Sequence, residues 1–143
     1  MNRLIEVVFG PLLTVHQWLY EQSDGRIGTN LGGRPMLLLR TVGRRSGEPR
    51  TAALLYVRDG DAYAVIASKG GAPQHPAWFH NLRAQPDVEI QVGRKRIPVR
   101  ARIAEGEERA RIWARADEVN QGGYVDYQSR TSRVIPVVVL EPR

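Results

Sequence analysis

The 143-residue sequence contains no cysteine. That one absence excludes a thiol nucleophile, a thiolate zinc site, an iron–sulfur cluster and a disulfide framework, and makes a reducing cytoplasm the expected location. Histidine is scarce: His16, His75 and His80 fall at no spacing that forms a metal-ligand set with Asp or Glu, so no metal is expected. There is no Gly-x-Ser-x-Gly elbow, and no glycine-rich loop ends in Gly-Lys-Ser/Thr ahead of a helix, so serine-hydrolase and Walker-type phosphate chemistry are not indicated. Carboxylates sit in turns (Asp59, Asp61) or on a charged helix (Glu105, Glu107, Glu108) and suggest no acid/base pair. Long apolar runs are missing too. The stretch from Leu4 to Tyr20 is broken by Glu6, Pro11, His16 and Gln17, too polar to span a bilayer, and Met1-Asn2-Arg3 leads into no secretory pattern.

Arginine, by contrast, is abundant. All but Lys69 and Lys95 of the 21 basic residues are Arg, and against 15 acidic residues the formal charge is +6. A pI near 10.3 admits nucleic acid, an anionic membrane or a polyanionic small ligand as partner. Apolar residues at 42% and charged residues at 25% are ordinary for a globular chain, and the length suits one core.

Residues 1–33 read as an amphipathic helix followed by a glycine-rich connector. Leu4, Val7, Val8, Leu12, Val15 and Leu19 form its stripe, and Trp18 and Tyr20 would suit a membrane interface or a lid. Residues 34–143 read as a β-rich domain. Met36–Thr41, Arg50–Arg58 and Ala62–Ala67 are expected to form a three-stranded meander, with Asp59-Gly60 as a hairpin turn. Asp87–Val92 and Arg96–Ala104 form a second hairpin, and the valine run of Val134–Leu140 suits a strand buried on both faces. A short helix should begin at Pro76, and a charged one should cover Glu105–Asp117, presenting Ala110, Ile112, Trp113 and Ala116 to the sheet. The expected fold class is mainly β (α+β): a six-stranded antiparallel barrel with an N-terminal helix and two or three flanking helices.

Three segments could carry chemistry. Gly43-Arg44-Arg45-Ser46-Gly47-Glu48-Pro49-Arg50 is a tight turn in which backbone N–H groups and guanidinium forks could hold an anion, or it is a solvated hairpin tip. Ala67-Ser68-Lys69-Gly70-Gly71, followed by His75-Pro76-Ala77-Trp78, brings a hydroxyl, an ammonium and the start of a helix together at the end of a strand, with Trp78 either walling a ring or filling core. Tyr124 and Tyr127, three apart after a glycine pair, share one face if helical; they could give a phenol donor and an aromatic wall, or anchor the helix. An enzyme with this inventory would leave its hard chemistry to a cofactor.

In this order, Gly43-Arg44-x-Ser46-Gly47-x-x-Arg50, Ala67-Ser68-Lys69-Gly70-Gly71, His75-Pro76-x-Trp78-x-x-Asn81-Leu82, Tyr124-x-x-Tyr127-Gln128-x-x-Thr131 and Ile135–Leu140 resemble the actinobacterial deazaflavin-dependent nitroreductase and quinone reductase family, over about residues 34 to 142. The resemblance implies a split β-barrel of the flavin-binding type and coenzyme F420, an 8-hydroxy-5-deazaflavin with a phosphate and an oligoglutamate tail; FMN is the lesser alternative. It implies that Arg44, Arg45 and Arg50 hold the phosphate and tail, and that Ala67, Ser68, Lys69 and Gly70 lie at the deazaflavin. Ala53, Leu54 and Leu55 would line the ring pocket, with Pro76, Ala77, Trp78 and Asn81 on the cofactor side. Ser68 and Tyr124 become the candidate catalytic donors, and Tyr124 and Tyr127 the acceptor contacts. The implied reaction is hydride transfer from reduced F420 to a quinone, enone or nitro-aromatic acceptor. Asn120-Gln121-Gly122-Gly123 stands where the family's nitro-drug activator has a further tyrosine, which counts against that last class. The competing expectations are a non-catalytic F420 carrier, an FMN reductase of the same fold and a basic nucleic-acid-binding barrel. Peripheral membrane contact through the N-terminal helix and homodimerisation stay open.

Overall fold

The computed structural model describes residues 14–143. A helix over residues 14–22 (α1) leads to β1 (Asn30–Leu31), β2 (Arg34–Val42), β3 (Pro49–Leu55), β4 (Val57–Asp59) and β5 (Ala62–Ile66). A 3-10 turn at Lys69–Gly71 and α2 (Ala77–Ala84) follow, then β6 (Asp87–Val92), β7 (Lys95–Ile103), α3 (Gly106–Val119), α4 (Gly123–Ser129) and β8 (Val137–Pro142). All pairings are antiparallel, in the order β1-β2-β6-β7-β8-β5-β4 with β3 on the other side of β2.

The sheet has eight strands, not six, and the first three do not form a meander. The apolar run expected as one strand over Arg50–Arg58 breaks at Tyr56, whose N–H donates to the Pro35 carbonyl at 3.1 Å. Before the break β3 pairs with β2; after it β4 pairs with β5, which finds its other partner in β8. The two edges of the sheet are therefore joined by the chain itself at one residue, and the sheet closes on itself as a half-barrel. A strand that changes partners mid-run is a barrel corner, which hydrophobic periodicity alone does not mark.

Alternation along the strands divides the apolar residues into two cores. Leu37, Leu39, Val65, Ile90, Val99, Val138 and Leu140 fill one, closed by Phe79 and Leu82 of α2. Met36, Leu38, Leu55, Ala64, Val137 and Val139 fill the other, covered by Tyr20, by Ile112 and Ala116 of α3, and by Tyr124 of α4. The valine run of β8 does serve both cores. Ala110, expected to face the sheet, is exposed; its neighbour Arg109 is half-buried instead, donating to the Ile135 carbonyl at 2.7 Å.

Of the N-terminal stripe, Leu4, Val7, Val8 and Leu12 lie outside the described residues. Further along, His16 and Tyr20 face inward while Val15 is exposed. Polar partners decide this: the Tyr20 hydroxyl donates to the Gln91 carbonyl (3.1 Å) and accepts from the Gly93 N–H (2.7 Å), which ties α1 to the β6–β7 turn. Gly25 packs so closely there that a Cβ would lie 1.6 Å from the Gly93 carbonyl oxygen.

Candidate active site

The β2–β3 hairpin tip is built by backbone. Gly43 N–H donates to the Glu48 carbonyl (2.8 Å), Gly47 N–H donates to the Gly43 carbonyl (2.9 Å), and Gly47 holds φ +71°, a conformation that favours glycine. Buried Asn81 of α2 pins the tip to the barrel. Its Nδ2 donates to Thr41 Oγ1 (3.1 Å) and its Oδ1 accepts from the Arg44 N–H (3.0 Å). Between tip and helix opens a cleft of about 420 Å³ lined by Thr41, Gly43, Arg44, Arg45, Ser46, Arg50, Thr51, Ala52, Ala77, Trp78 and Asn81.

Six of the residues expected from sequence thus meet in one cleft: Arg44, Arg45, Arg50, Ala77, Trp78 and Asn81. Its three guanidinium groups are exposed, and among the described residues none has a carboxylate partner. Arg50 makes only long contacts, to Ser46 Oγ (3.4 Å) and the Pro49 carbonyl (3.5 Å). Unpaired guanidiniums around a concave surface with small neutral walls are suited to a multiply charged anion. His80 stands in the same positive field. Burial and the charges of Arg44, Arg83 and Arg45 hold its imidazole below the usual range, so it is neutral at neutral pH.

The second segment packs against α4. Ser68 is helical in φ/ψ (−81°, −39°), whereas Lys69, Gly70 and Gly71 take φ of +46°, +61° and +81°. Gly71 is obligatory: a Cβ there would stand 2.6 Å from the Tyr127 carbonyl oxygen. Lys69 is exposed, Pro76 is the buried N-cap of α2, and Ala67 is fully buried, so its side chain serves the core and only its backbone is available to a ligand.

Ala53, Leu54 and Leu55 do not share a face. β3 lines the cleft with Arg50, Thr51 and Ala52, while Ala53 and Leu55 pack on the core under α3 and α4 and Leu54 packs on the opposite core. A strand's period of two requires this. Tyr124 and Tyr127 are helical, as the spacing allowed, with rings edge to face at 6.2 Å. Tyr124 is buried against Trp113, 6.1 Å away, and burial pushes its phenol far above the usual range; it is a protonated core residue outside the arginine cleft. Half-buried Tyr127 lies at the edge of that core.

Sequence reasoning missed Arg133. Its Nε donates to the Ala72 carbonyl (2.8 Å), its Nη2 to the Ser68 carbonyl (2.7 Å) and its Nη1 to the Ala67 carbonyl (3.2 Å) and to His75 Nδ1 (3.0 Å). A guanidinium only donates, so His75 Nδ1 is unprotonated and its proton sits on Nε2; burial and the Arg133 charge lower its pKa accordingly. Gln128 fixes the backbone on either side, with Nε2 donating to the Arg133 carbonyl (2.7 Å) and Oε1 accepting from the Ile135 N–H (3.0 Å). The available signal was an arginine between the Thr131 of the motif and a buried strand.

The family model of the F420H(2)-dependent quinone reductases matches residues 12–142. The chain belongs to this family. It is therefore an oxidoreductase, and its cofactor is coenzyme F420. An F420H(2)-dependent quinone reductase of Mycobacterium tuberculosis is 51% identical over 135 residues, covering 92% of this chain and 91% of that protein. Among solved structures, an F420-H2-dependent reductase superposes with TM-score 0.69 at 44% identity, covering 76% of this chain and 95% of that one. A further solved structure, described only as a domain-swapped dimer, reaches TM-score 0.70 at 40% identity, covering 87% of this chain and 98% of that one. The half-barrel is thus the fold of F420-dependent reductases, as the sequence motifs implied. The residues present suit the cofactor: three unpaired guanidiniums for a phosphate and carboxylates, and a cleft with room for them.

Proposed function

We propose that this family member reduces quinones and other electron-poor planar acceptors, and that Arg44, Arg45 and Arg50 are the clamp for the cofactor's phosphate and anionic tail. The observation that carries the assignment is that these three, none of which has a carboxylate partner among the described residues, line one cleft together. When bound, reduced F420 supplies the hydride. The protein's share is positioning and electrostatics. Asn81 holds the Arg44 backbone and Trp78 and Ala77 wall the cleft, while Ser68, Lys69 and Gly70, which are not among its lining residues, are the proposed contacts of the deazaflavin ring through backbone N–H groups, a hydroxyl and an ammonium. Ser68 is the proposed donor to negative charge developing on the acceptor oxygen. Tyr127 is the proposed acceptor wall, and Tyr124 supports it from the core. In this division residues 34–143 carry the site, and Tyr20 of the N-terminal segment packs against the β6–β7 turn. Homodimerisation is supported by the neighbouring domain-swapped dimer. No helix among the described residues is long and apolar enough to cross a membrane, and a cytoplasmic location is the reading the absence of cysteine supports.

Two measurements test this. Fluorescence titration should give saturable F420 binding much tighter than FMN binding. Steady-state oxidation of F420H2 should then be accelerated by menadione more than by enones or nitro-aromatics. Binding without acceleration by any acceptor would make the protein a carrier.

A further inference from the structure

We infer that Arg133 is the positioning residue of the cofactor loop: by holding the carbonyl side of the peptides after Ala67 and Ser68, it turns the N–H groups of Ser68 and Lys69 outward toward an electron-rich ligand. This deepens the F420 assignment and rests on it.

The geometry follows from the peptide unit. No peptide bond among the described residues is cis, so each C=O points away from the N–H of the next residue. With Nη1 on the Ala67 carbonyl and Nη2 on the Ser68 carbonyl, the N–H groups of Ser68 and Lys69 face the opposite side. Neither has an acceptor among the described residues. The step from right-handed Ser68 to left-handed Lys69 curves successive N–H groups into a concavity of the kind that binds anions and carbonyl oxygens. A lysine at φ +46° is strained, and strain persists only where the surroundings impose it. Arg133 supplies that constraint. Four of its five donors are committed to this one segment, from the Ala67 carbonyl at its entrance to the Ala72 carbonyl and His75 Nδ1 at its exit. No ion pair neutralises it among the described residues, so its charge stands behind the concavity and adds to the attraction. Gln128 in turn fixes the Arg133 backbone.

The test compares Arg133→Met, Arg133→Lys and Arg133→Ala with wild type. Each is titrated by fluorescence with F420 and with the deazaflavin chromophore lacking phosphate and tail, and amide exchange is followed at Gly71 and Ala72. Arg133→Met should weaken both ligands by the same factor, roughly tenfold or more. Arg133→Lys, one ammonium in place of a fork, should recover only part of that, and added methylguanidine should restore affinity to Arg133→Ala. Arg50→Ala, by contrast, should weaken only the tailed ligand. Unchanged affinity of Arg133→Lys for the tail-less chromophore, together with unchanged exchange at Gly71 and Ala72, overturns the inference. Should Arg133→Met fail to fold, Arg133→Lys and the methylguanidine rescue decide the question. Wild type binding neither deazaflavin would refute the cofactor assignment instead, and amide exchange would still judge the role of Arg133 in the loop.

Discussion

The β2–β3 hairpin tip and the Ala67–Pro76 loop both depend on arginine, in opposite ways. At the tip, Arg44, Arg45 and Arg50 are exposed and unpaired while backbone bonds and Asn81 hold the turn. At the loop, one half-buried arginine spends nearly all its donors on backbone carbonyls, and the backbone N–H groups are left over. In the first region the side chains meet the ligand and the backbone is scaffold; in the second the roles are exchanged. A third set is neither: Arg102 bridges Glu108 and Glu141, and Arg111 pairs with Asp59, as exposed pairs that contribute little. An arginine's partners therefore tell its task better than its presence does.

The contrast predicts its own failures. The largest effect is expected from Arg50→Ala, which should raise the Kd for F420 by roughly tenfold to a hundredfold through loss of charge-assisted bonds, with kcat at saturation nearly unchanged. Equal losses in binding and turnover would remove the tip's role as a clamp.

Next comes the scaffold of each region. Gly71→Ala forces a Cβ toward the Tyr127 carbonyl at φ +81° and should cost about 1–3 kcal/mol in denaturant unfolding. Asn81→Ala leaves the Thr41 hydroxyl and the Arg44 N–H without partners. A loss of about 1–3 kcal/mol is expected, together with weaker F420 binding. A stability loss without any change in Kd would separate Asn81 from the clamp.

A smaller, pH-dependent effect is expected at His80. Its pKa in the free protein lies below the ordinary 6.5, and an anionic tail among Arg44, Arg45 and Arg83 would raise it. The bound state then takes up a proton, so affinity should strengthen as pH falls from about 8 to about 6. Titrations over that range should show the slope, and His80→Asn should flatten it.

The smallest effect is at Asp59, where the hydrogen bond from Arg111 holds the carboxyl below its usual range. A lowered folded-state pKa stabilises above the unfolded carboxylate range, and that contribution is lost as pH falls through the folded pKa. Asp59→Asn should therefore lower Tm slightly at neutral pH and not at all in acid.

Much of this was readable along the chain. Asp59-Gly60 does turn a hairpin, α2 does start after Pro76, and the glycine-arginine spacing did mark the tip, because turns and helix starts depend on neighbouring residues. The strand break at Tyr56 was not readable, since it reflects a change of partner rather than of residue type. The separation of Leu54 from Ala53 and Leu55, by contrast, follows from strand periodicity alone. Tyr124 had the spacing of a site residue and the surroundings of a core residue; only packing could tell the two apart.

From sequence alone came the β-rich class, the basic character, the need for a cofactor and the motifs that carry the family, all of which depend on residue type and short spacing. Which of many arginines stays free, which is buried among carbonyls, and which residues of β3 meet the cleft were settled only when segments distant along the chain came together. A guanidinium's energy depends on its partners, and partners such as Ala67 and Arg133 meet only in the folded chain.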